Sequence, residues 1–391
     1  WNTVTWDVVE PPVAQTIIKN PDVADVCTNG SVSATFTGGS GGVNPVDVYQ
    51  SSTNGGSTWS SYTPGTSISS SSTGTNRIQI RTRRTSSGTG CTDSDWNVVT
   101  WNVVAQPVSQ NITKDPNVTT ICTGGEVSAT FTGGSGGVDP VDVYQSTIDG
   151  GTTWQAYIPG TTLSSAIAGT NRIRVRTRRT SAGTGCNTSA WRYANWTVVE
   201  QPVAQTITKN PDVTDVCTGG TVSATFSGGS GGVSPVDVYE SSIDGGSNWA
   251  AYTPGNPLSS ATPGTDRIQV RTRRESSGTG CANSGYNTVS WTVVAQPVAQ
   301  TITKNPDVAE VCTGGSVSAT FSGGSGGVSP VDVYQSSTDG GNTWSAYTPG
   351  NSISSATIGT DRLQIRTRRE SSGHGCIHSD WNTVTWTVVP Q

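Results

Sequence analysis

The sequence predicts an all-β chain organised as a tandem array of four β-sandwich domains. Cys27, Cys122, Cys217 and Cys312 recur at an interval of 95 residues, as do Cys91, Cys186, Cys281 and Cys376. One unit is therefore repeated without insertion or deletion, and so long a period marks an array of domains, not a solenoid of small repeats. Val, Ile, Trp and Tyr alternate with Ser and Thr throughout, which is the pattern of strands with one covered face. Methionine is absent, and no helical period persists over a useful length. Charged residues make up 13% of the chain, against about 25% in ordinary soluble domains. The alternation nonetheless argues for folded strands and against disorder.

The last unit shows the elements most clearly. Gln300–Lys304 reads as a first edge strand bracketed by Pro297 and Pro306, where a missing N–H does little harm. Ser316–Phe321 alternates strictly, with Val317, Ala319 and Phe321 on one face. Phe36, Phe131, Phe226 and Phe321 are the only phenylalanines, one per unit, and each is expected to anchor a core. The run Gly323–Gly327 is a turn; without a lysine or a Walker-type ending it does not cradle phosphate. Val331–Gln335 follows as a central strand. Asp339-Gly340-Gly341 before Trp344 signals a hairpin, because Asp-Gly supplies positive φ. Next comes the strand Arg362–Arg369, with Leu363 and Ile365 on one face and Arg362, Gln364, Arg366 and Arg368 on the other. A glycine-rich hairpin through Cys376 leads to the last strand, Trp381–Val389. Roughly seven strands per unit with regular turns is the sandwich pattern.

The opening residues, Trp1-Asn-Thr-Val-Thr-Trp6-Asp-Val-Val9, repeat the closing Trp381-Asn-Thr-Val-Thr-Trp386-Thr-Val-Val389. Residues 1–9 are thus expected to be the last strand of a preceding repeat. Repeats 1 to 4 occupy 10–104, 105–199, 200–294 and 295–391. With no signal peptide and no apolar run long enough to span a membrane, the chain reads as a window on a longer, processed protein whose export signal, anchor and tip lie outside it. The junctions, Val-Val-Ala-Gln-Pro-Val at 103–108 and Val-Val-Glu-Gln-Pro-Val at 198–203, carry proline and no Gly/Ser linker. A semi-rigid, extended rod is expected from them.

An Ile-x-Ile-Arg-x-Arg strand, a Ser-Gly turn and Ser-Asp-Trp before a last strand resemble the end of a fibronectin type III domain. The whole unit, with Cys-Thr-Gly-Gly-x-Val-Ser-Ala-Thr-Phe, Asp-Gly-Gly-x-x-Trp and Gly-x-Gly-Cys, resembles the tandem immunoglobulin-like repeats of large Bacteroidota surface adhesins. These include gliding-motility adhesins exported by type IX secretion. The resemblance implies an immunoglobulin-like or fibronectin III-like fold and a role in cell adhesion at the outer surface.

Several function classes are excluded or weakened. A net charge of −5 over the whole chain provides no field to attract nucleic acid or an anionic membrane. Two cysteines per unit point to disulfides and an oxidising, extracellular compartment. Zinc is disfavoured because no Cys-x-x-Cys recurs. His374 and His378 occur only in the last unit, so no histidine-based catalytic set repeats. Asp22 and Asp47 could act as paired carboxylates, but no cleft marks them, and Asp22 and Asp25 could hold calcium, but no Asp-x-Asp run is present. The sequons at Asn29, Asn111, Asn117, Asn187 and Asn195 share no repeated position. No cofactor, metal or catalytic residue is expected.

The cysteines are expected to pair within repeats: Cys27 with Cys91, Cys122 with Cys186, Cys217 with Cys281 and Cys312 with Cys376, leaving no free thiol. Such a bridge would stabilise a repeat by about 4 kcal/mol in the chain-entropy model. The alternative, a bridge from one repeat to the next such as Cys27 to Cys186, would stiffen the array. The second candidate set is an Arg–Trp face. Arg81 and Arg83 share a strand face with each other, and Trp59, Trp96 and Trp101 fall on strands expected to flank it. Arg366, Arg368, Trp344, Trp381 and Trp386 are the counterparts in repeat 4. Guanidinium stacked on indole would cover apolar surface; a glycan-binding platform is the competing role, weakened by Tyr286 standing where the other repeats have Trp. The expectation is a non-enzymatic stalk or fibre segment of an extracellular adhesin, giving length, stiffness and many weak surface contacts. Its partners are neighbouring repeats and a surface glycan or other cell-surface polymer. A carbohydrate-binding array of a secreted polysaccharide-degrading protein and a self-assembling filament subunit are the alternatives.

Overall fold

The computed structural model describes residues 1–391, and every regular element in it is a β-strand. In repeat 1 these are β1 (Thr16–Asn20), β2 (Asp25–Cys27), β3 (Ser33–Thr37), β4 (Val46–Ser52), β5 (Ser60–Ser61), β6 (Gly74–Thr85) and β7 (Asn97–Val104). The same seven recur in each repeat, and repeat 4 adds a short strand at Ile353–Ser354. β1 and β3 form one antiparallel sheet. The second sheet has the order β2-β7-β6-β4-β5, in which only β2 runs parallel to its neighbour, β7. Four such pairs of sheets make the chain an array of β-sandwiches. It divides into two compact units, residues 1–199 with repeats 1 and 2, and residues 200–391 with repeats 3 and 4.

The period-2 pattern decides which side of each strand is covered. Along β6, Ile78, Ile80 and Thr82 are fully buried, while Gln79, Arg81 and Arg83 alternate with them on the outer face. β6 and β7 are antiparallel, and the register places Trp101 opposite Ile78. Trp101 therefore points inward and packs with Val26, Ile80 and Val103 against Ile17, Val32 and Ala34. Its indole N–H donates to the Pro21 carbonyl at 3.1 Å, so the one polar atom of this buried ring is satisfied. The anchor expected of Phe36 is thus supplied by Trp101. Phe36 is partly buried at the margin of the core, its ring 4.4 Å from that of Tyr49. Repeats 2, 3 and 4 place Trp196, Trp291 and Trp386 in the same way.

Residues 1–9 form no strand in this structure, and Trp6 is 82% exposed where its counterpart Trp386 is 0% exposed.

The Asp339-Gly340-Gly341 turn adopts the expected geometry, with φ of 77° and 85° at the two glycines. The Asp339 carboxylate accepts from the Thr343 hydroxyl at 2.6 Å, the Thr343 N–H at 2.9 Å and the Ser337 hydroxyl at 2.7 Å. These bonds, the Thr343 hydroxyl first among them, hold the carboxyl well below the usual aspartate range. Asp149 and Asp244 are depressed in the same way, and repeat 1 has Asn54 at this position. A depressed carboxyl contributes stability that is complete above its unfolded value, about 3.9, and is lost as pH falls toward the folded value. Acid unfolding of the Asp149→Asn/Asp244→Asn/Asp339→Asn variant should therefore depend less steeply on pH below about 4 than that of the wild type. Identical slopes would show that these turns do not couple to protonation.

Candidate functional site

Two constellations stand out, one at the junction between consecutive repeats and one on the outer face of the large sheet. At the junction, Cys27 bonds to Cys186 and Cys217 bonds to Cys376, each with Cα atoms 4.9 Å apart and a sequence separation of 159. Cys122 and Cys281 are also disulfide-bonded. The within-repeat pairing expected from the sequence is therefore corrected: Cys27 does not meet Cys91, nor Cys122 Cys186, nor Cys217 Cys281, nor Cys312 Cys376. The reason lies in strand geometry. Cys27 ends β2 opposite Val104, the last residue of β7. Cys91 lies in the β6–β7 connection, beyond the Thr82–Asn97 pair that opens β7. The length of β7, about 3.3 Å per residue and so roughly 23 Å, separates the two poles, whereas a disulfide needs Cα atoms about 4.4–6.8 Å apart. Nor are all eight cysteines oxidised: Cys91 and Cys312 are free thiols.

The disulfide sits in a clasp that sequence reasoning missed. The Cys27 N–H donates to Thr184 O at 3.0 Å. Gln106, in the proline junction, donates its amide to Thr28 O and to Gly185 O, each at 2.8 Å, and accepts from the Asn187 N–H at 2.8 Å. One side chain thus holds the edge of repeat 1 and the loop of repeat 2 together. Gln296 does the same for repeats 3 and 4, through Thr218 O, Gly375 O and the Ile377 N–H. The backbones approach so closely that a Cβ on Gly185 would lie 2.2 Å from the Gly30 Cα, and only glycine fits. The available signal was a glutamine at a fixed offset before the junction proline, read there only as part of a linker.

On the outer face, the Arg81 guanidinium lies 3.7 Å from the Trp59 ring and 4.0 Å from the Trp96 ring, and Arg83 lies 4.9 Å from Trp96. Trp96 is thus held between two guanidinium groups set two residues apart on one strand face. Gln50 on β4 accepts two bonds from Arg81, at 3.0 and 2.7 Å, and aims it. Burial, and then the charge of Arg83, lower the Arg81 pKa. Arg366, Arg368, Trp344 and Trp381 form the same stack in repeat 4. Trp101 and Trp386 do not belong to it. Both were assigned to this face, and both are core residues, because antiparallel register sets them opposite Ile78 and Leu363 on the inner side. Tyr286 keeps the stacking role in repeat 3, 4.0 Å from Arg271. Repeat 2 extends the ladder, with Arg174 reaching both Tyr193 and Trp154. Beside it Arg84 grips Asp47 through two parallel bonds of 2.9 Å, a pair repeated in every unit. Asp47 is therefore engaged in an ion pair and not in a carboxylate couple.

Replacing Arg81 by Ala should cost about 1 kcal/mol, the size of one partly exposed cation–π contact plus lost cover of the indoles. A double-mutant cycle with Trp59→Ala should return a coupling of about 0.5–1 kcal/mol. Zero coupling would dismiss the ladder as a stabilising element.

A cleft of about 510 Å³ lies where repeats 1 and 2 meet, with Asp25, Val104, Val138 and Asp139 among its lining residues. No group of three metal-ligating side chains forms anywhere in the structure. His378 accepts from the Ser371 N–H, and His374 contacts Thr221 O in the preceding repeat. No helix is long and apolar enough to cross a membrane.

The fold and its junctions define a disulfide-stapled tandem array of Ig/fibronectin III-like β-sandwiches. No family model matches the chain, and no curated protein matches it in sequence. Among solved structures it is similar to a Ca2+-stabilized adhesin that helps an Antarctic bacterium reach out and bind ice, at 18% identity over 99% of this chain and 100% of that one, with a TM-score of 0.35. It is similar to the D1–D4 ectodomain fragment of ICAM-5, at 13% identity over 97% of this chain and 100% of that one, with a TM-score of 0.34. The FN1–FN3 domains of chicken CNTN1 match at 12% identity over 72% of this chain and 99% of that one, with a TM-score of 0.22.

Proposed function

We propose that this chain is a load-bearing, non-enzymatic stalk segment of an extracellular bacterial surface adhesin. The bond from one repeat to the next, Cys27 to Cys186 and Cys217 to Cys376, is the observation that carries this reading. A staple inside a domain stabilises that domain; a staple between domains fixes their relation and diverts tension away from both. Disulfides also belong to an oxidising compartment, which supports a secreted location. The repeat style favours the gliding-motility class of Bacteroidota adhesins exported by type IX secretion, with outer-membrane attachment through other regions. Multivalent weak contact with a cell-surface polymer would come from repetition. A glycan platform on the ladder is disfavoured, since guanidinium groups already occupy the indole faces.

Pulling single molecules from their ends tests this. Residues between bonded cysteines are shielded from force, and the separation is 159 at each staple. At about 3.5 Å per extended residue, reduction should add roughly 550 Å of extension per staple. Equal extensions before and after reduction would show that the staples bear no load and would end the reading.

A further inference from the structure

We propose that the outer face of repeat 2 is the array's binding surface for an acidic, carboxylate-bearing polysaccharide. The proposal deepens the stalk reading, on which it rests for an extracellular partner, and it places the polymer contact on one repeat instead of spreading it over four.

The chain's net charge of −5 is unevenly divided. Repeat 2 has seven Lys and Arg against five Asp and Glu, whereas repeats 1, 3 and 4 have five each against six, eight and seven. Repeat 2 alone is positive. The differences gather on the ladder. Arg174 stands where the other repeats have Gln79, Gln269 and Gln364, and Tyr193 where they have Val98, Thr288 and Thr383.

Acids are lost from the same face. In each of the other repeats the guanidinium at the end of the stack has a carboxylate of its own: Arg83 pairs with Asp93 at 3.2 Å, Arg273 with Glu275 and Arg368 with Glu370. In repeat 3, Glu240 also takes Arg271, at 2.7 Å. Repeat 2 has Arg178 and Arg176 at these positions, but Thr188 stands in place of Asp93, Thr180 in place of Glu275 and Glu370, and Gln145 in place of Glu240. Its only ion pair is Arg179 with Asp142. Asp149, in the adjoining turn, directs its carboxylate to Thr147 and Thr153.

The remaining cations are in line. Arg174, Arg176 and Arg178 alternate with buried Val175 and Thr177 along the strand Gly169–Thr180, so they share the outer face at steps of about 6.6 Å. Arg174 lies 4.9 Å from the Tyr193 ring and 5.6 Å from Trp154. Arg176 lies 3.8 Å from Trp154 and 4.2 Å from Trp191, and Arg178 lies 4.5 Å from Trp191. Asn195 and Gln145 accept from Arg174 and Arg176 and aim them. Each guanidinium keeps further N–H groups, whose fork suits the two oxygens of a carboxylate. The carboxylate that the other repeats supply from their own chain can come here from a partner. A row of fixed cations fits a linear polymer with a carboxylate on each sugar, and it needs no sugar stacked on a bare ring. Single-stranded nucleic acid would need open aromatic faces for its bases, and guanidinium groups already lie against these rings.

The test is calorimetric titration of the full 391-residue chain with polygalacturonate, neutral dextran, duplex DNA and phosphatidylglycerol vesicles. Polygalacturonate should bind more tightly than the other three, and more weakly as salt is raised. Arg174→Gln/Thr180→Glu gives repeat 2 the residues that repeat 4 has at Gln364 and Glu370. It should keep the wild-type melting temperature and lose affinity by about tenfold or more, the weight of a charge-assisted hydrogen bond. Arg178→Gln, which removes a cation and breaks no ion pair, should lose affinity likewise. Wild-type affinity in either variant would put the polymer elsewhere and overturn the proposal. So would failure of the wild type to bind polygalacturonate, or an affinity indifferent to salt. Dextran, DNA or vesicles bound as tightly as polygalacturonate would assign the face to another partner and overturn it equally. None of these outcomes changes the extension on reduction, so the stalk reading stands or falls separately.

Discussion

The Cys27→Ser/Cys186→Ser variant should unfold at markedly lower denaturant than the wild type, with a loss of about 5 kcal/mol for residues 1–199 in the chain-entropy model. That model grows with the logarithm of the closed loop, and a separation of 159 gives this figure. Both cysteines are replaced so that no unpaired thiol is left to exchange. The clasp adds to the effect. Without the bond, Gln106 and the Cys27–Thr184 backbone contact must hold repeat 2 against repeat 1 alone, and hydrogen bonds exposed to water contribute only about 1 kcal/mol each. Equilibrium unfolding followed by tryptophan fluorescence reads the midpoint. If it does not move, the staple closes no loop that matters to folding. Cys91→Ser serves as the control: its thiol is free, and the same measurement should return the wild-type midpoint.

Much of this architecture was legible because repetition and alternation are one-dimensional signals. The four units follow from the cysteine interval, and the inner and outer faces of β6 follow from Ile78 and Ile80 alternating with Gln79 and Arg81. The Asp339-Gly340 turn was readable because only a few residues tolerate its backbone. Long-range geometry was not readable. Spacing alone says that Cys27 and Cys91 share a unit, but not that β7 holds them at opposite poles. The bridge from Cys27 to Cys186 was open as an alternative, but choosing it over the within-repeat pair required knowing that β2 runs parallel to β7 and ends at the junction. The clasp was hidden for a related reason. A glutamine before a proline has no chemistry of its own until the Gly185 carbonyl is brought to it. The ladder was half visible. Arg81, Arg83, Trp59 and Trp96 were placed together from alternation, whereas Trp101 was misassigned because the register between β6 and β7 is a tertiary fact.

That misassignment gives the second large effect, because two tryptophans five residues apart should behave differently. Trp386→Ala should destabilise repeat 4 by about 3–5 kcal/mol, the cost of emptying a large core site. Trp386 is completely buried among Leu363, Ile365 and Val388, and its indole N–H donates to Pro306 O at 3.1 Å. Alanine would leave a cavity under both sheets and strand that carbonyl as well. Trp381→Ala should cost only about 1 kcal/mol, since this ring is half-buried on the outer face and its main partners, Arg366 and Arg368, can turn to water once it is gone. Both substitutions remove the same chemical group from the same sequence neighbourhood, so the difference isolates which face each ring occupies. The comparison is best made in the full chain by calorimetry, where repeats 1 to 3 provide an internal reference. Similar costs for the two would contradict the register that sets Trp386 opposite Leu363. A larger cost for Trp381 would mean that the ladder, and not the sandwich interior, is what holds the repeat together.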